Sequence, residues 1–109
     1  MKYLEALKVT GNQTGDWIPL SAGSMYPKFF SASVTKQGTG TPAYTMKLQV
    51  SLDGVNATDL LTVTNSDADG SVKVMGDAIP RPAAFMRQVF SGVTLNGATS
   101  LTGRICASA

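Results

Sequence analysis

The chain has 109 residues, 15% of them charged, a formal net charge of +2, one cysteine and no histidine. That length supports a single core burying about two-thirds of the surface an unfolded chain exposes. Without histidine every imidazole-dependent triad, dyad or metal site is excluded, and without a run of Lys or Arg the chain lacks the footprint of a nucleic-acid or anionic-membrane binder.

Thr, Ser, Val, Gly and Ala dominate, and no periodic apolar segment reaches the length of a long helix, so the expected class is all-β, an antiparallel sandwich. Turn signals recur about every ten residues, the rhythm of short sandwich strands. They divide the chain into about eight strands, near 2–10, 16–20, 28–36, 43–52, 57–64, 71–75, 84–94 and 98–107. The whole of 1–109 reads as one domain, with 1–15 a candidate arm that contacts neighbours.

Residues 1–10 fit two patterns, Leu4, Ala6 and Leu7 a helical turn and Tyr3, Glu5, Leu7 and Val9 a strand. The same segment lacks a seven-residue apolar stretch and is interrupted by Glu5, so no secretory signal is expected. Trp17 follows a Gly-rich turn between Asp16 and Pro19 and is the aromatic expected to be half-exposed. Met25, Tyr26 and Phe29 lie in a weakly charged, apolar-tinged segment, 25–30, that suits either core closure or a partner interface. With Trp17 they are the candidate interface residues.

The strongest pattern spans 44–63. Tyr44, Met46, Leu48, Val50 and Leu52 alternate with Thr45, Lys47, Gln49 and Ser51, giving one dry face and one wet face. A tight turn at Asp53-Gly54 then reverses the chain into a second strand. Further on, Phe85, Met86, Val89 and Phe90 in the Pro82–Gly92 segment also stand at helical spacing, so a short helix competes with a strand there.

Little in the sequence points to catalysis. Cys106, in the presumed last strand, reads as a small packing residue rather than a nucleophile, because no histidine is there to activate it. Loop Asn65-Ser-Asp67-Ala-Asp69-Gly70 begins like a calcium loop but has Gly76 at its twelfth position, where a bidentate Glu is required, and Lys73 inside. A polar hairpin tip explains it better. Asn56-Ala57-Thr58 matches a glycosylation acceptor, and with no secretory signal expected the match reads as a coincidence. No enzyme activity, cofactor or metal is expected.

Residues 48–60 with their Ser-x-Asp-Gly hairpin, the arginine-bearing segment 84–94 and the closing Gly/Thr-rich segment 98–105 resemble small phage virion β-sandwich proteins of the capsid decoration, or cement, kind. The resemblance implies a jelly-roll-like sandwich in which Phe85 to Val89 is a strand carrying Arg87. It also implies a virion protein, made in the host cytoplasm, that binds and stabilises the capsid shell, with capsid or other virion proteins as partners and a homo-oligomer, a trimer, as its form. The same hairpin and Arg strand resemble lectin-like sandwiches, so the alternative is a carbohydrate-binding or host-recognition module of a tail fibre or baseplate. Ala57 stands where that group often has a Trp.

Overall fold

The computed structural model describes residues 2–20, 27–64, 72–76 and 81–108. Among them every regular element is a strand: β1 (Lys2–Val9), β2 (Gln13–Thr14), β3 (Ile18–Pro19), β4 (Pro27–Gly38), β5 (Ala43–Ser51), β6 (Thr58–Thr64), β7 (Val72–Gly76), β8 (Arg81–Pro82), β9 (Phe85–Thr94) and β10 (Ala98–Ser108). The helical reading of 82–92 is overturned, because Met86, Gln88 and Phe90 point inward while Arg87 and Val89 lie on the opposite face. Residues 16–20 do not form one strand. Two dipeptide strands, β2 and β3, pair in turn along β9, and Trp17 occupies the gap between them. The short β8, on the first residues of β4, had no signal in the sequence. The Asn65–Gly70 loop lies outside the described residues.

Two antiparallel sheets form, one ordered β1-β10-β4-β7 and the other β2-β9-β5-β6, with β8 added to β4 and β3 to β9. Leaving aside those two dipeptide additions, strands of the chain pair as first with last, second with second-last and so on inward, ending at the β5–β6 hairpin. Lys2 stands opposite Ser108, Gln13 opposite Phe90, Ser31 opposite Gly76 and Thr45 opposite Thr64, and the midpoint of each pair falls between residues 51 and 55. The molecule is thus one long antiparallel ribbon, folded at the Asp53 turn and rolled until β10 meets β4 and β9 meets β5. This is the jelly-roll arrangement of a β-sandwich.

The core fills the space between the sheets. Tyr44, Met46, Leu48 and Val50 of β5, Leu61 and Val63 of β6 and Met86 and Phe90 of β9 face Val9, Phe30, Ala32, Val34, Leu101, Ile105 and Ala107. The alternation along β5 therefore holds for its first four apolar residues. Leu52, the fifth, lies beyond the strand end and is 63% exposed instead of buried.

Two sheet edges, one on each sheet, are blunted against extension. Along β1 the residues facing inward are Glu5, Leu7 and Val9, so a carboxylate is placed on the core side of an edge strand, opposite Ile105. On the other sheet, β6 carries Asp59 at a register shift against β5 between Leu48 and Gln49. Inward-pointing charge and bulges of this kind disfavour pairing with a further strand.

A candidate binding end built on the central hairpin

The turn that joins β5 to β6 is organised by two side chains. Ser51 is buried at the end of β5; its Oγ accepts from the N–H groups of Asp53 (3.2 Å) and Gly54 (2.9 Å) and donates to Asp53 Oδ1 at 2.9 Å. Asp53 Oδ1 also accepts from the N–H groups of Val55 and Asn56, both at 2.8 Å, while Oδ2 accepts from Asn56 Nδ2 at 2.7 Å. These bonds, led by the backbone N–H of Asn56 and then that of Val55, hold the Asp53 carboxyl far below the usual carboxylate range. The turn keeps its negative charge through ordinary acid.

Gly54 has φ +78°, and a Cβ there would come within 3.4 Å of the Phe85 ring. The left-handed backbone therefore calls for glycine, while the ring would meet a Cβ only at ordinary contact distance. Below the turn, the Ala84 N–H donates to the Ser51 carbonyl at 2.9 Å and the Ala84 carbonyl accepts from Leu20 N–H at 2.8 Å, which ties three loops together at this end.

This framework presents apolar surface. Val55 is 78% exposed and stands with Leu52 at the tip. Beside them an open groove of about 420 Å³ is lined by Val50, Leu52, Asp53, Asn56, Thr58 and Leu60, among others. Two aliphatic side chains on a fixed turn are a low-entropy anchor for a partner, since ordering the loop is already accomplished before contact.

Across the outer face of the adjoining sheet runs a row of polar groups. The Arg87 guanidinium lies 4.1 Å from the centroid of the Trp17 ring, and its Nε donates to Gln49 Oε1 at 2.9 Å. Gln49 Nε2 donates to Asp59 Oδ1 at 2.8 Å, and Asp59 Oδ2 is 3.1 Å from Lys47 Nζ. The bond from Gln49, and then Lys47, lowers the Asp59 carboxyl from its ordinary value. Cross-strand register builds the row, because Gln49 sits opposite both Arg87 and Asp59.

Of the sequence-derived interface residues, Trp17 is half-buried in this row, with one ring face covered by Arg87. Phe29 lies elsewhere, 45% exposed on the outer face of β4 in the other sheet. Met25 and Tyr26 fall outside the described residues. Cys106 is on the last strand but half-buried on its outer face rather than in the core. Leu52 and Val55 were missed, because alternation assigned Leu52 to the core and nothing in the pattern marked Val55. Among the described residues no group of three His, Cys, Asp or Glu side chains gathers to hold a metal, and no helix is long and apolar enough to cross a membrane.

No protein-family model matches the chain, and no curated protein matches it. Among solved structures, one described as Bacillus endospore appendages that form a family of disulfide-linked pili aligns at 17% identity and TM-score 0.39, covering 99% of this chain and 89% of that one. The infectious bursal disease virus Gx strain aligns at 13% identity and TM-score 0.39, covering 99% of this chain and 30% of the viral one. The Gt strain of that virus aligns at 13% identity and TM-score 0.36, covering 98% of this chain and again 30% of the viral one.

Proposed function

We propose that this chain is a non-catalytic structural component of a phage virion, most simply a decoration or cement protein that braces a capsid shell, and that it meets its neighbours through the hairpin end. One observation carries the reading: a turn locked by Ser51 and Asp53 holds Leu52 and Val55 out in solvent above an open groove. A domain with no further use for that surface gains nothing by fixing apolar side chains outside its core. Contacts through the β1 and β6 edges are disfavoured, whereas the hairpin end offers exposed apolar side chains on a fixed turn. Repeated over many copies, modest contacts of this kind add up to shell stability.

The test is addition of purified protein to undecorated phage heads. Binding at micromolar concentration with increased thermal or osmotic resistance is expected, and Leu52→Asp with Val55→Asp should abolish it. Heads that bind neither form would refute the reading.

A second reading, a glycan-recognition module, draws on the Trp17–Arg87–Gln49–Asp59 row. Arg87 already covers one face of the indole, so a sugar would stack on the other. Saturable binding on a glycan array, lost in Trp17→Ala, would favour that reading over the first.

A further inference from the structure

Resting on the assembly reading above, we infer that the neighbour of the hairpin tip is a second copy of this chain, which receives Leu52 and Val55 on the outer face of its β1–β10–β4 sheet. Register places Leu4, Cys106 and Ser31 in one row across that face and Arg104 and Ser33 in another. Together they border a shallow dish of about 250 Å³. Its floor is low because serine and cysteine are small; Leu4, 67% exposed, and the exposed Arg104 rise at its sides.

The two surfaces are chemically matched. The tip offers two aliphatic side chains and one carboxylate whose charge is fixed by four hydrogen bonds. The dish offers an exposed aliphatic side chain and a guanidinium with no ion-pair partner among the described residues. Apolar area meets apolar area while Asp53 approaches Arg104, the arrangement that fixes orientation as well as attraction. Both halves of the contact belong to one polypeptide but to different places on it. The contact is therefore head-to-side, and it generates a ring if the rotation closes and a chain if it does not.

Sheet extension through β1 or β6 is a competing way for copies to meet, and it is opposed by Glu5 on β1 and by the register shift and Asp59 on β6. A symmetric tip-to-tip contact would bring two fixed Asp53 charges together. Since the molecule measures 43 × 25 × 18 Å, a contact through one end is small, and each copy's hold on the next is weak until it is repeated.

The native Cys106 lies in the dish and permits a direct test. Full-length Val55→Cys, mildly oxidised with diamide, is expected to give a ladder of disulfide-linked species. Mass spectrometry should find the peptide that joins position 55 of one copy to Cys106 of the next, and the ladder should be lost in Val55→Cys/Cys106→Ser. Persistent dimers in that double variant would mean tip on tip and overturn the inference. In sedimentation, Arg104→Glu should weaken self-association of the unmodified chain about tenfold or more. Monomer at every concentration, with no ladder, would also overturn it. Head binding by that same monomer, lost in the Leu52/Val55 double variant, would show that the inference had failed while the proposed function stood; head binding unaffected by the double variant would remove the hairpin end from both.

Discussion

Gln88 on β9 and Gly103 on β10 face one another across the core, and the carboxamide of the first occupies the space a side chain on the second would need. A Cβ at position 103 would collide with Gln88 Oε1 and come within 2.7 Å of the Phe90 ring. Gln88 is 1% exposed, and neither Oε1 nor Nε2 has a hydrogen-bond partner among the described residues. A buried polar group without partners costs about 1–3 kcal/mol. Gln88→Met, similar in length and apolar, should therefore raise stability by about that amount in urea unfolding. Gly103→Ala should lower it by about 1–3 kcal/mol through overpacking, and combining it with Gln88→Ala should recover much of the loss. Strict additivity would show that the two positions do not interact.

Acid should act late on this protein. Asp53 and Asp59 both have folded-state values below the ordinary 3.8. A depressed carboxyl stabilises the fold above its unfolded value and loses that contribution as pH falls through its folded value. Their contribution should thus be constant from about pH 8 to about 5, begin to fade below about pH 4, and in the case of Asp53 continue fading to the lowest accessible pH. Urea midpoints measured at about pH 7, 5, 3 and 2 give the profile. Asp53→Asn should flatten its acid limb, and an unchanged limb would show that the turn carboxylate is not coupled to folding.

Removing the charge that blunts β1 should open its edge. Glu5→Val leaves inward-facing apolar residues at 5, 7 and 9 of an eight-residue edge strand. Sheet-to-sheet pairing between copies is the expected result, seen as association beyond the parent's that Arg104→Glu does not weaken and as added intermolecular β signal in the infrared. A variant that associates no more than the parent and adds no infrared β signal would show that Glu5 is not what protects the edge.

Trp17 is the chain's single tryptophan and so reports on its own surroundings. Arg87→Ala strips the guanidinium from one indole face and removes the bond to Gln49. Trp emission should shift to the red, and stability should fall by about 1 kcal/mol, in keeping with a partly exposed cation–π contact. No spectral change would mean that the stacking is not maintained in solution.

Most of the architecture was legible in the sequence because the turn residues are specific. Asp53-Gly54 and Asn96-Gly97 mark reversals whose positive φ values, +78° at Gly54, +51° at Asn96 and +100° at Gly97, few other residues accept. The β9 segment was ambiguous for a physical reason: Gln88 points inward and Val89 outward, which erases the two-residue alternation and leaves an apparent helical one. Trp17 could be recognised as half-exposed because a Gly-rich turn and Pro19 flank it, whereas its partner Arg87 is 70 residues away and only the register reveals the pairing. Leu52 misled in the other direction. Alternation continues in the sequence for one residue beyond the end of the strand, and nothing but the hydrogen bonding of Ser51 and Asp53 shows where the strand stops.

Because strands pair in mirror order about residues 51–55, the entropy of closing each pairing depends on what has already closed inside it. The β5–β6 hairpin joins neighbours in sequence; Lys2 and Ser108 are the most distant partners. Formed from the middle outward, the roll closes like a zip, each rung shortening the free chain that the following one must span. A defect at the centre should therefore slow every later rung, while one at β1 or β10 should leave folding rates almost untouched and show itself in unfolding.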